Sequence, residues 1–270
     1  MDWLNAIIDA VLRTFLALFS WAPPLVGLTA VSGLTGIAML WVFRRTTNQN
    51  KVRAARRRVV AYLLELRVFS TQPAMVWRSQ KSLLAANGRY ILLVLRPALW
   101  LAIPVGLLLV HLELFYERAP VAAGEEAIVT LAIPSLPAEI PPLRAPDGIA
   151  VEGPPVRLVD QREVSWRIRP SRAVSGQLLF TIGGRKLTKT ITAGEIPAGF
   201  LSPRRVSTIW DSIFQPGEPR IPGGAARWIE VRYPKASLSL AGMKINWLLW
   251  FLIVSMFTAL ALKKRFSVAL

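Results

Sequence analysis

Three long apolar stretches interrupt this chain, and the segments between them differ in kind. They run from about Pro24 to Phe43, Pro97 to Tyr116 and Ile245 to Leu262. A bilayer-crossing helix needs roughly 17 to 25 apolar residues, so all three qualify, the last being the shortest. Trp21 and Trp41 flank the first, where indoles favour the headgroup level. Ahead of it, Asp2, Asn5, Asp9 and Arg13 recur at helical spacing, while Trp3, Leu4, Ile7, Ile8, Leu12, Phe15 and Leu16 occupy the other face. The pattern predicts an amphipathic helix within residues 1–22, lying flat in the membrane interface. A cleaved leader cut after "SWA" is the rival reading, and the acidic start argues against it.

The periodicity changes twice more. Within residues 44–96, Val52, Ala55, Val59, Tyr62, Leu66 and Phe69 alternate at steps of three and four, a coiled-coil seam. A break at "STQP" and a second helical run ending at Gly88, a candidate C-cap, predict a helical hairpin. Residues 117–243 switch to short runs rich in β-branched and aromatic residues, such as "EAIVTLAI", "REVSWRIR", "GQLLFTI", "RKLTKTIT" and "ARWIEVRYP". Gly183-Gly184 between two of them is a two-residue hairpin signal. The expected fold is a small β-sandwich, with a loop over 197–226 that holds one short helix at "VSTIWDSIF". In the strands, Trp166 with Arg167 and Arg169, and Trp228 with Arg227, fit either a ligand face or, more simply, tryptophan inward and arginine outward.

Charge orients this layout. The chain is 53% hydrophobic, with mean hydropathy +0.41, yet carries a formal charge of +17, a pairing typical of membrane proteins with basic loops. Residues 44–96 hold twelve Arg or Lys against one acid, Glu65. Residues 117–243 have a much weaker bias. The positive-inside rule therefore puts 44–96 and the "KKRF" tail (263–270) in the cytoplasm, and the N-terminus and β domain outside. The expected protein is a multi-pass plasma-membrane protein: spans 23–43, 97–116 and 245–262, a basic cytoplasmic hairpin and an extracytoplasmic β domain. With no cysteine, one histidine and no GxGxxG, GxxxxGK[ST], HExxH or GxSxG motif, nothing points to an enzyme, a metal site or a cofactor.

The polar residues near the spans have competing readings. Arg44 and Arg45 either fix orientation and touch anionic lipid, at about 1 kcal/mol each, or attract an incoming acidic or polar segment. Thr29, Ser32, Gly33 and Gly36 lie along one side of the first span and suit close helix packing, with Ser255 and Thr258 on the last span as partners. Arg56, Arg57 and Arg58 suit contact with phosphate, in lipid headgroups or ribosomal RNA, without sequence readout, so DNA is not an expected partner. His111 and Glu113, at the outer end of the second span, read as structural.

The segments "INWLLWFLIVSMFTALALKKRF" (245–266) and "LRPALWLAIPVGLLLVHLELFYERAP" (95–120) resemble the last and middle spans of the minimal, three-span, archaeal-type branch of the Oxa/YidC superfamily of membrane insertases. The order of span, basic helical hairpin, span, span is similar too. The resemblance implies a shallow groove, open to cytoplasm and lipid, that eases polar segments of nascent membrane proteins across. Arg44 and Arg45 stand where that branch carries its positive residue, and Thr29, Ser32, Ser255 and Thr258 would line the groove. An inserted β domain departs from the branch's short link. The alternative function is a structural subunit of an envelope complex that binds an extracytoplasmic protein through that domain.

Overall fold

A computed structural model describes every residue except 1, 48, 69–72, 136–139, 195–199, 241 and 267–270. The chain divides into two compact units, one of residues 1–27 and 107–247 and one of 28–106 and 248–270. Helices α1 (Asp2–Ala17), α2 (Pro24–Thr46), α3 (Gln49–Val68) and α4 (Pro73–Tyr116) precede the β domain, and α6 (Trp247–Leu262) follows it. Among the described residues, two helical segments are long and apolar enough to cross a membrane, Pro24–Thr46 and Pro97–Tyr116, while α6 is apolar but has 16 residues.

Two expectations need correction. The stretch 197–226, expected as loop with one short helix, holds that helix, α5 (Ile209–Phe214), and also the strand Arg204–Val206. Gly88 does not end a helix: α4 runs without interruption from Pro73 to Tyr116 and contains both Pro97 and Pro104. A C-capping glycine takes a left-handed conformation, and Gly88 is absent from the glycines with positive φ. The break expected at "STQP" falls at residues 70–72, outside the described residues.

The β domain holds two antiparallel sheets over one core. Strands β1 (Ala127–Ala132), β3 (Ile149–Leu158), β4 (Glu163–Pro170), β7 (Arg204–Val206) and β8 (Trp228–Val231) form a five-stranded sheet in the order β3-β4-β1-β8-β7. Strands β2 (Leu143–Arg144), β5 (Val174–Ile182) and β6 (Arg185–Ala193) form the other, in the order β2-β5-β6. Alternation sends Val129, Leu131, Trp166 and Ile168 inward from the first sheet and Leu178, Phe180, Leu187 and Ile191 from the second. Trp166 meets Phe180 edge-on, with ring centroids 5.5 Å apart. The β5–β6 turn is Gly183-Gly184, both at positive φ, as a tight hairpin requires. Strand β3 escaped the periodicity because Gly153-Pro154-Pro155 interrupts it. The register shifts between Glu152 and Val156, and two residues without an N–H blunt this edge strand.

The chain enters and leaves the domain through one paired backbone. Ala119 N donates to Pro234 O, Ala236 N donates to Glu117 O, and Arg118 bridges Lys235. The hairpin of β9 (Leu238–Leu240) and β10 (Met243–Ile245) follows, and Trp247 Nε1 then donates to Glu117 at 2.8 Å.

Lys189 breaks the inward pattern of β6. Its side chain is fully buried, and Nζ donates to Ser202 O (2.7 Å) and to the Glu218 carboxylate (2.5 Å). Burial pushes its pKa down, opposed by Glu218. Arg205 holds the same loop from the other side, donating to Pro219 O and Arg220 O. The loop around Glu218 is thereby fixed to the sheet. Replacing Glu218 by Gln strands the lysine, so unfolding by denaturant should show a loss of about 3–5 kcal/mol. The double variant Lys189→Met, Glu218→Leu should recover most of it. An equal loss in both would show that the pair does not act as a unit.

Candidate functional site

The polar stripe of α1 meets one partner per turn. Asp2 accepts from Arg220 Nε at 3.0 Å, and Asn5 Nδ2 donates to Ser212 O at 2.9 Å. Asp9 Oδ1 lies 3.6 Å from His111 Nε2. Arg13 stacks over Phe200, 4.1 Å from the ring centroid, and Phe200 meets Phe115 edge-on at 5.3 Å. Asn5 and Asp9 are 6% and 9% exposed, whereas Trp3 is 68% and Val11 61% exposed. The buried side of α1 takes in Asn5 and Asp9 from the expected polar face and Leu12 from the expected apolar one, while Arg13 is exposed; Asp2 and Asn5 meet the β domain and Asp9 faces His111 of α4.

Three clefts meet at Arg13. One of about 370 Å³ is lined by Asp2, Asn5, Asp9, Gly217 and Glu218. A second, of about 290 Å³, presents the hydroxyls of Ser175, Thr190, Thr192, Ser202 and Tyr233. A third, of about 460 Å³, is mostly apolar and includes Phe115, Tyr116 and Phe200.

His111 is fully buried, and its Nδ1 lies 2.8 Å from Leu107 O. A carbonyl only accepts, so Nδ1 carries a proton, and Nε2 faces Asp9. Neither Nε2 nor Asp9 Oδ1 has a hydrogen-bond partner. Burial raises the Asp9 pKa from its ordinary 3.8 to about 6, and Arg13 opposes the rise. The sequence held one signal for this pair, an ionisable residue inside an apolar span, but nothing to link positions so far apart.

The sequence-predicted groove residues lie where α2 crosses α6. A Cβ on Gly36 would sit 2.5 Å from Ser255 O and 3.2 Å from Thr258 Cβ. Ser32 and Ser255 are buried there. Their hydroxyls turn back on their own helices: Ser32 donates to Leu28 O, Ser255 to Leu252 O and Thr258 to Val254 O. Thr29 instead accepts from Trp250 Nε1 at 2.9 Å. This is close packing of small residues, which leaves these oxygens engaged at the crossing.

The arginines are placed differently. Arg44 and Arg45 are exposed at the end of α2, and the Arg45 guanidinium lies 5.8 Å from the Trp41 ring centroid. Below them Leu40 and Phe43 pack with Leu101, Leu262 and Phe266. On α3, Val52 is fully buried and Ala55, Val59 and Tyr62 are half-buried. The Leu66 side chain and Phe69 lie outside the described residues. Arg56 and Arg57 are exposed, while Arg58 lines a cleft of about 340 Å³ with Tyr62, Ser82 and Arg89. In the β domain the simpler reading holds. Trp166 is core, and Arg167 and Arg169 pair outward with Glu126. Trp228 is half-buried with Arg204, not Arg227, over its ring at 4.4 Å.

No family model, curated protein or solved structure matches the chain.

Two measurements probe this geometry. Gly36→Leu drives a side chain into the α6 backbone and should cost about 1–3 kcal/mol, read as a lowered thermal midpoint in detergent. An unchanged midpoint would exclude the crossing. Between pH 3.8 and about 6, the folded chain holds a proton at Asp9 that the unfolded chain has released, so stability falls as pH rises through that window. Asp9→Asn should abolish that part of the fall, and an unaltered pH profile would refute it.

Proposed function

We propose that this chain is a three-span membrane protein, with its N-terminus and β domain outside and α3 in the cytoplasm, that assists membrane-protein insertion in the manner of the YidC-like insertases. The observation that carries this reading is the pair Arg44–Arg45, exposed where the apolar run of α2 stops and followed at once by the exposed arginines of α3. An arginine at the membrane edge can snorkel and avoid the ~2.5–3.5 kcal/mol of a charge at mid-bilayer. There it attracts an acidic or polar segment before that segment enters lipid. Arg56, Arg57 and Arg58 extend the cationic surface toward the ribosome or anionic headgroups.

A second reading has its own support. The internal hydroxyl bonds at the α2–α6 crossing leave Ser32, Ser255 and Thr258 little capacity to receive a substrate. That favours spans used as an anchor, with the β domain binding an extracytoplasmic partner of an envelope complex.

Cells depleted of the chain should accumulate uninserted small membrane proteins. The pair Arg44→Glu, Arg45→Glu should reproduce the defect at similar protein level, with insertion lowered on the order of tenfold, since each charge near the surface contributes about 1 kcal/mol. Normal insertion with the double variant, together with full function after the spans are replaced by unrelated ones, would discard the insertase reading in favour of the anchor.

A further inference from the structure

Helices α3 and α4 enclose a cleft of about 340 Å³ whose lining is cationic and unpaired. From α3, Ala55, Arg58 and Tyr62 line it at successive steps of three and four, and from α4, Ser82, Ala85 and Arg89 do so at the same spacing. Residues so spaced share one helical face, so each helix turns a single face to the cleft. The two alanines leave the space open, and four polar side chains surround it. Arg58 and Arg89 are exposed, while Tyr62 and Ser82 are half-buried. Among the described residues, no hydrogen bond, ion pair or ring contact engages any of these four. They differ in this from Ser32, Ser255 and Thr258, whose hydroxyls return to their own helices. Glu65, the one acid within residues 44–96, does not line the cleft.

We propose that this cleft is a phosphate-binding site, in which Arg58 and Arg89 clamp the anion and the Tyr62 and Ser82 hydroxyls donate to its other oxygens. The proposal rests on the reading of α3 as a helix that meets phosphate, and narrows that contact to one place. Two guanidiniums with no acid between them carry an uncompensated double charge, which a phosphate offsets. The guanidinium fork matches phosphate oxygens two at a time. A carboxylate has two oxygens for four donor groups, whereas a phosphate has four. The volume suits it as well. One water occupies roughly 30 Å³ of liquid, so the cleft has room for a phosphate and part of the group it esterifies. Along α4, Arg89 precedes Pro97 by about 12 Å of helix axis. Exposed Ile91, Leu92 and Leu95 carry the apolar surface to within two residues of it. A lipid headgroup at that edge and a soluble phosphate offer the cleft the same chemistry.

The test titrates the full chain, in an uncharged maltoside detergent, with inorganic phosphate, with dihexanoylphosphatidylglycerol and with acetate at matched ionic strength. Binding is read as the rise in thermal midpoint over each variant's own unliganded value, and equilibrium dialysis with radiolabelled phosphate measures it without heating. At least one of the two phosphate probes should raise the midpoint, and acetate should not. Arg58→Gln and Arg89→Gln should each weaken binding on the order of tenfold or more. Ala85→Leu, which fills the cleft and keeps every charge, should weaken it too, and Arg57→Gln, outside the cleft, should leave it unchanged. A response to phosphatidylglycerol at lower concentration than to inorganic phosphate assigns the site to a lipid headgroup, and a response to inorganic phosphate alone assigns it to a soluble ligand; both uphold the site. Equal loss with Arg57→Gln and none with Ala85→Leu would mean diffuse charge, and acetate acting as well as phosphate would mean a carboxylate ligand such as an acidic peptide. Either result overturns the proposal, as does no binding of either phosphate probe. None of these readouts involves insertion: an empty cleft leaves the Arg44→Glu, Arg45→Glu experiment standing, and normal insertion there leaves the cleft standing.

Discussion

Helix α1 buries two polar side chains, Asn5 and Asp9, and the arrangement of its unit depends on that. A surface helix of a water-soluble domain buries its apolar stripe; α1 buries Asn5 and Asp9 along with Leu12, half-buries Leu4, Ile8, Phe15 and Leu16, and exposes Trp3, Ile7 and Val11. Each large apolar side chain left in water forgoes about 1.5–3 kcal/mol. The polar contacts that hold α1 return only about 1 kcal/mol apiece, and more where charged. Such an arrangement is stable where the outward face meets a medium other than water. Lipid is the economical candidate, because the chain turns directly from α1 into an apolar helix of 23 residues.

That requirement shapes the β domain beneath it. The loop around Glu218 must offer α1 a fixed polar surface, and a mobile loop could not. Lys189 and Arg205 hold it by buried and half-buried cations that bond its carbonyls and its carboxylate. The paired backbone at 117–119 and 234–236, with Trp247 on Glu117, ties the two ends of the domain together just outside α4 and α6. A lysine in a sandwich core is unfavourable by itself. Its position follows from what the loop it anchors has to support.

Much of this was legible in residue order, and the failures have physical causes. The glycine pair at the β5–β6 turn follows from turn chemistry, and a short helix expected within "VSTIWDSIF" is present at Ile209–Phe214. Gly88 misled because a glycine permits a helix end without requiring one, and with no Cβ contact within 4 Å it is simply a helical residue there. Pro97 reads as a start, since proline removes a helical N–H, but α4 carries it in its interior. Lys189 sits where alternation puts an inward side chain, and its chemistry argued the opposite. The pairing of Asp9 with His111 joins residues with no common pattern, so only the fold could reveal it.

In both units taken separately, several polar side chains on the helices are satisfied within the protein. In α2 and α6, Ser32, Thr35, Ser255 and Thr258 return their hydroxyls to carbonyls of the preceding turn. In α1, Asp2 and Asn5 bond the β domain. A groove built to receive a polar substrate would do the reverse and keep donors and acceptors unengaged along the helix flanks. Among the described residues, unengaged polarity instead gathers at helix ends and seams. It is found in exposed Arg44 where α2 stops, and in the orphaned Asp9 and His111 atoms, Asp9 lining the cleft at Arg13.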